Sequence, residues 1–203
     1  MTKVATVKLI PRKDPCGASW IRALSPLVVF LCAVLSACAG PAALDSSKVP
    51  PTVSRVELAR YGGTWYEIAR LPMWFQRNCL RSQATYGILE TGEVSVLNEC
   101  DTGGGKDSIR GRARVVDAKT NARLEVRFDN WFSVFIPSQP QGNYWILYLD
   151  KDYRTVIVGT PDRENLWIMA RTPAIDEARY TELVGIARGL GFETDKLIRR
   201  KNQ

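Results

Sequence analysis

The sequence predicts an all-β domain, a sandwich or a closed barrel, followed by one helix. Three observations carry this. Eight short segments between residues 63 and 171 either alternate apolar and polar side chains or run apolar on both parities, as strands do. Thr91-Gly92, Gly103–Gly105, Thr120-Asn121 and Pro161-Asp162 punctuate them with turn signals. A single helical pattern comes after the last of them. Short strands at this spacing bury their shared apolar face by pairing into a sandwich or by closing on themselves.

In order, the expected strands are 63–70, 79–89, 93–100, 108–117, 122–129, 143–149, 154–159 and 165–171. Parity separates inside from outside. In 108–117, Arg110, Arg112 and Arg114 alternate with Ile109, Gly111, Ala113 and Val115. Three arginines cannot share an apolar interior, so the second set points in. In 122–129, Leu124, Val126 and Phe128 point in, and Arg123, Glu125 and Arg127 point out. Strand 143–149 is apolar on both parities, so its outer face needs a cover. The helix expected at about 176–190 is the candidate: Tyr180, Leu183, Val184, Ala187 and Leu190 fall on one face, and Gly189 and Gly191 offer stops. Gly103–Gly105 lacks a following lysine and helix, so it reads as a hairpin tip and not a phosphate loop.

Composition removes several functions. The 203 residues include no histidine, which excludes a Ser-His-Asp triad and His-bound metal. No cofactor, metal or catalytic residue is expected. The net charge of +7 is uneven: residues 1–37 hold Lys3, Lys8, Arg12, Lys13 and Arg22 against Asp14 alone. The basic balance therefore belongs largely to the N-terminus, and nucleic acid is not an expected partner.

That N-terminus reads as an address. Bases precede the apolar run 23–37, which is too short to span a bilayer comfortably and ends in small residues, as a secretory signal does. Leu35-Ser36-Ala37-Cys38 resembles the lipobox of bacterial lipoproteins. The resemblance implies cleavage before Cys38, acylation of that cysteine and a stable membrane anchor. Ala39 follows where an aspartate would favour inner-membrane retention, which points to the outer membrane. The expected organisation is a signal over 1–37, a lipidated cysteine and flexible tether over 38–54, and a barrel domain over 55–203. Fully extended, the tether reaches at most ~55 Å.

Within the body, Gly63-Thr64-Trp65-Tyr66-Glu67-Ile68-Ala69-Arg70 resembles the Gly-x-Trp opening strand of the lipocalins, and Leu166-Trp167-Ile168-Met169-Ala170-Arg171-Thr172-Pro173 resembles their last-strand motif. Ala84-Thr85-Tyr86, Val96-Leu97-Asn98, Leu124-Glu125-Val126 and Tyr144-Trp145-Ile146-Leu147 look like the bacterial outer-membrane, apolipoprotein D-like branch. One departure is Asp150-Lys151-Asp152-Tyr153-Arg154, where the family often has Thr-Asp-Tyr. The resemblance implies an eight-stranded antiparallel up-and-down β-barrel with the C-terminal α-helix packed outside. It also implies that Trp65 closes the barrel floor with Arg171 across it, and that the interior carries one lipid, a fatty acid or lysophospholipid.

The candidate ligand wall on parity is Glu67, Tyr86, Val96, Asn98, Val126, Phe128, Tyr144, Ile146, Trp167 and Met169. Aromatic and aliphatic walls suit an acyl tail, and Asn98 or a tyrosine hydroxyl suits a headgroup; a filled core is the alternative. Inward-facing Glu67 needs a partner, either a lipid ammonium or a tyrosine or arginine near the floor. Odd-numbered loops share one end, so Met73, Trp74 and Phe75 of loop one and Trp131, Phe132 and Phe135 of loop five rim one mouth. They either touch lipid or fold over to plug the barrel. Cys79 and Cys100 are an even pair in an oxidising compartment, yet a turn at Thr91-Gly92 sets Cys100 opposite about residue 83, so a disulfide and two free thiols both stand.

The expected function is a lipid carrier in the envelope, its barrel facing the periplasm. The alternatives are a structural lipoprotein binding a protein partner through its rim, and a barrel isomerase using one of the two thiols. Expected partners are one lipid and the membrane through Cys38, with a homodimer left open.

Overall fold

The structure, a computed structural model, describes residues 48–130 and 138–200. Among these residues eight strands close into one antiparallel barrel. They are β1 Gly63–Arg70, β2 Arg81–Ile88, β3 Val94–Asp101, β4 Lys106–Val115, β5 Arg123–Phe128, β6 Tyr144–Leu149, β7 Thr155–Gly159 and β8 Leu166–Ala170. Each pairs with the next, and β1 pairs with both β8 and β2. That closure decides for the barrel over the sandwich, because no strand is left as an open edge of the ring. A short helix, α1 Leu58–Tyr61, precedes β1, and α2 Glu177–Gly189 follows β8. Strand β9, Ile198–Arg199, adds to the outside of β1 at Ala69 and Arg70 and was not expected.

Two apolar clusters divide at the barrel wall. The inner one gathers Trp65, Tyr86, Val96, Ala113, Leu124, Ile146 and Met169. The outer one gathers Ile68, Trp145, Leu147 and Ile157 with Leu183 and Ala187 of α2. Strand β6 is apolar on both parities because it belongs to both. A bulge between Ile146 and Tyr148 shifts its register. Beyond it Tyr148 turns to the helix side and Leu149 joins the inner cluster. Asp176 caps α2 by accepting from the Arg179 N–H at 2.8 Å, and Gly191 ends it with φ +87°.

On β4, Gly111 and Ala113 are buried and Arg110, Arg112 and Arg114 are exposed. Gly111 is a packing requirement. A Cβ there would lie 2.4 Å from the Arg127 carbonyl oxygen and 3.0 Å from the Phe128 ring. Glu125 departs from its expected exposure: it is an outward residue, yet only 5% exposed, because Ser138 and Gln139 cross over it.

The chain before the barrel is bound to it. The Lys48 carbonyl accepts from Arg163, the Val53 N–H donates to Ile146, the Val56 N–H donates to Thr120, and Pro50 is fully buried. Residues 48–54, expected as flexible tether, are therefore part of the folded body. Signal residues 1–37 and Cys38 lie outside the described residues. Among the described residues no helix is long and apolar enough to cross a membrane.

Candidate ligand-binding lumen

The lumen is built from the floor upward. Gly63 turns the chain into β1 with φ +84°, its α-carbon facing the Arg171 guanidinium. Arg171 lies 3.9 Å over the Trp65 ring and donates to the carbonyls of Thr64, Arg60, Tyr61 and Tyr153. Trp65 donates its own N–H to the Tyr61 carbonyl at 2.8 Å. The loop that departs from the family pattern is well tied here: the Tyr153 hydroxyl accepts from the Glu57 N–H, and Arg60 stacks on its ring at 4.1 Å.

Above the floor three phenols meet. The hydroxyls of Tyr61 and Tyr144 are 2.6 Å apart, and those of Tyr144 and Tyr86 are 2.9 Å apart. Beside them is a cavity of about 10 Å³, lined otherwise by apolar residues such as Val94, Ala113 and Leu124.

Towards the mouth the wall becomes polar. Glu67 and Arg70 form an ion pair of 2.8 Å, with both side chains buried. A bulge between Glu67 and Ala69 brings them to one side of β1. Gln76, on the 3₁₀ turn Trp74–Gln76 of loop one, reaches in. Its amide donates to Glu67 at 3.0 Å and accepts from the Trp167 N–H at 2.9 Å. Arg70 also donates to the carbonyls of Gln76 and Cys79, so one guanidinium holds both the carboxylate and the loop. Burial raises the Glu67 pKa by more than Arg70 and Gln76 lower it. The expected partner near the floor is thus replaced by an arginine at the mouth end, which the bulge makes reachable.

A disulfide joins Cys79 and Cys100, whose α-carbons are 5.5 Å apart. Cys100 stands opposite Ser82, and Leu80 donates its N–H to the Asp101 carbonyl. The ladder ends at Arg81, so Cys79 leaves it and folds back to its partner. Neither sulfur is then a free thiol, which removes the isomerase chemistry that required one.

Eight of the ten expected wall residues belong to the inner cluster or pack against it. Tyr86, Val96, Ile146 and Met169 are buried in the inner cluster, and Val126, Phe128, Tyr144 and Trp167 pack against it partly exposed. Asn98 stands between Ala84 and Ile109, its buried Oδ1 without a partner among the described residues. At the rim, Trp74 is 80% exposed and Phe75 53%. Met73 is buried in the outer cluster beside Leu71, a correction to its rim placement: the 3₁₀ turn that follows it leaves its side chain against the barrel wall. Trp131, Phe132 and Phe135 lie outside the described residues. Sequence reading missed Tyr61, Arg70 and Gln76. Tyr61 precedes the first expected strand, and Arg70 changes face only through a bulge. Gln76 stands between apolar 71–75 and the polar pair Arg77-Asn78, and nothing in that pattern singles it out.

A lipocalin-like domain model matches residues 56–202. The chain is a lipocalin. It is 38% identical to temperature-induced lipocalin-1 of Arabidopsis thaliana over 157 residues, covering 76% of this chain and 83% of that protein. It is 37% identical to the outer membrane lipoprotein Blc of Escherichia coli K12 over 160 residues, covering 75% and 85%. Among solved structures, insecticyanin from the tobacco hornworm Manduca sexta aligns with this lipocalin at TM-score 0.54 and 16% identity, over 76% of this chain and 85% of that one. The last likeness bears on the fold alone.

Proposed function

We propose that this lipocalin carries one single-chain amphiphile, a fatty acid or a lysophospholipid, and does so while anchored by acylated Cys38 to the periplasmic side of an outer membrane. One observation carries the reading. Inward-facing Val126, Phe128 and Trp167 are only partly buried, so the inner wall keeps exposed apolar surface. Inward-facing surface left open in this way borders the lumen or its mouth. The wall there is aromatic and aliphatic, as an acyl tail requires. The orphaned Asn98 Oδ1 offers an acceptor to a headgroup hydroxyl or ammonium. Exposed Trp74 and Phe75 at the mouth suit contact with lipid. The similarity to an outer membrane lipoprotein supports the location.

The full chain, expressed in a bacterial envelope and isolated in nanodiscs, is analysed by native mass spectrometry. A stoichiometric fatty acid or lysophospholipid that exchanges with added lipid is the expected result. A protein that is empty and refuses every acyl ligand overturns the reading and favours a protein partner at the rim.

A further inference from the structure

The three phenols carry a surplus proton. Tyr61, Tyr144 and Tyr86 bring one O–H each, and the chain they form contains two hydrogen bonds. Among the described residues one hydroxyl is therefore left without an acceptor, whichever way the chain is oriented. Burial raises all three pKa values, that of Tyr86 to about 12, so at neutral pH every proton stays in place. All three phenols line the cavity above the floor. Its other lining side chains, among them Leu58, Val94 and Leu124, offer no acceptor. A buried donor in that position is destabilising if nothing accepts from it.

The cavity of about 10 Å³ holds about one oxygen-sized atom and not a headgroup. A carboxylate is also the wrong chemistry, since the guanidinium of Arg171 below is already spent on four carbonyls and the Trp65 face. We propose that this phenol cluster is a subsite for one uncharged acceptor oxygen, a hydroxyl or carbonyl borne at the buried far end of the ligand's apolar chain. The inference rests on the carrier reading above. It makes the preferred ligand an amphiphile with oxygen at both ends: the charged end towards the mouth, the neutral one among Tyr61, Tyr86 and Tyr144. A permanently bound water has the same chemistry, and the test separates the two.

The full chain in nanodiscs is offered dodecanoic to octadecanoic acids, each as an equimolar pair of its methyl-terminated and ω-hydroxy forms, and the bound ratio is read by native mass spectrometry. The same is done with the triple variant Tyr61→Phe, Tyr86→Phe, Tyr144→Phe. Both proteins meet the same membrane, so partitioning cancels in the comparison. The wild type is expected to favour the ω-hydroxy form over the variant's ratio by about tenfold or more at the chain length that reaches the cavity, the worth of one satisfied buried hydroxyl. A second reading needs no variant: the near-UV tyrosine band shifts to the red with the ω-hydroxy ligand, as the third phenol gains an acceptor, and not with the plain acid. Equal ratios at every length, with no band shift, mean that a water fills the site, and overturn the subsite while leaving the carrier intact. Failure to bind any acid overturns the carrier reading and this inference with it.

Discussion

The Glu67–Arg70 pair shows how one side chain joins stability to the mouth. Its 2.8 Å contact is fully enclosed, and the same guanidinium holds loop one through the carbonyls of Gln76 and Cys79. Arg70→Leu leaves a buried carboxylate without its cation and is expected to cost about 3–5 kcal/mol in urea unfolding. Arg70→Met combined with Glu67→Gln removes both charges and is expected to be clearly more stable than the single variant. A double variant no better than the single would show that the loop contacts, and not the stranded charge, dominate. Glu125 gives the opposite case. Burial raises its pKa, but Arg114, the Gln139 N–H, the Ser138 hydroxyl and Arg127 outweigh this and hold it at about 2. Its folded pKa lies below the unfolded value, so its contribution is complete above about 4.5 and is lost as pH falls towards 2. Glu125→Gln is expected to flatten that acid limb in urea midpoints measured across the window, and an unchanged limb would refute the assignment. Neither pair was legible in the sequence. Parity set Glu67 inside and Glu125 outside, but the bulge that recruits Arg70 and the segment that covers Glu125 are tertiary events.

At the scale of elements, period-two patterning was a reliable guide where one face of a strand meets water, as on β4, and it faded on β6 and β7, which are apolar on both faces. Strand β1 matches its expected span, and β2–β8 differ from theirs by one or two residues at the ends. Helix α2 falls within the expected 176–190, its Leu183 and Ala187 fully buried on the outer face of the barrel. Two-residue β9 carried no pattern to find. The cysteines show where register reasoning stops. Extending the β2–β3 ladder puts them out of reach, and the bond forms because the ladder ends first. Its sequence separation of 21 residues closes a loop worth about 3 kcal/mol by chain entropy. Cys79→Ser with Cys100→Ser is expected to lower the unfolding free energy by that order, and loop one, tied at Cys79, should become the first site of proteolysis. Loss of stability without new cleavage near residues 74–80 would separate the staple from the loop.

For the whole molecule, the path of residues 48–56 sets an orientation. Lys48 is bonded to Arg163 in the β7–β8 loop, at the mouth end, and Val56 to Thr120 in the β4–β5 turn, at the floor end. The chain therefore enters the folded body at the mouth, the end that also presents Trp74 and Phe75. Nine residues lie between Cys38 and Lys48, a contour of at most ~36 Å and well short of the ~55 Å that a tether running to residue 54 would allow. An acyl anchor at Cys38 would hold the mouth, not the floor, towards its own membrane. Aromatic side chains at that end would then sit at headgroup depth, where amphipathic rings are favoured. With a tryptophan fluorescence signal taken as the difference between the wild type and Trp74→Phe, brominated phospholipids are expected to quench the Trp74 component by about half or more in the anchored chain, an order set by interfacial depth. Cys38→Ser should abolish that quenching and move the chain from the membrane to the soluble fraction. Quenching that is absent in the anchored wild type would turn the mouth away from the bilayer, and a Cys38→Ser chain still bound to membranes would show that the anchor is not at that cysteine.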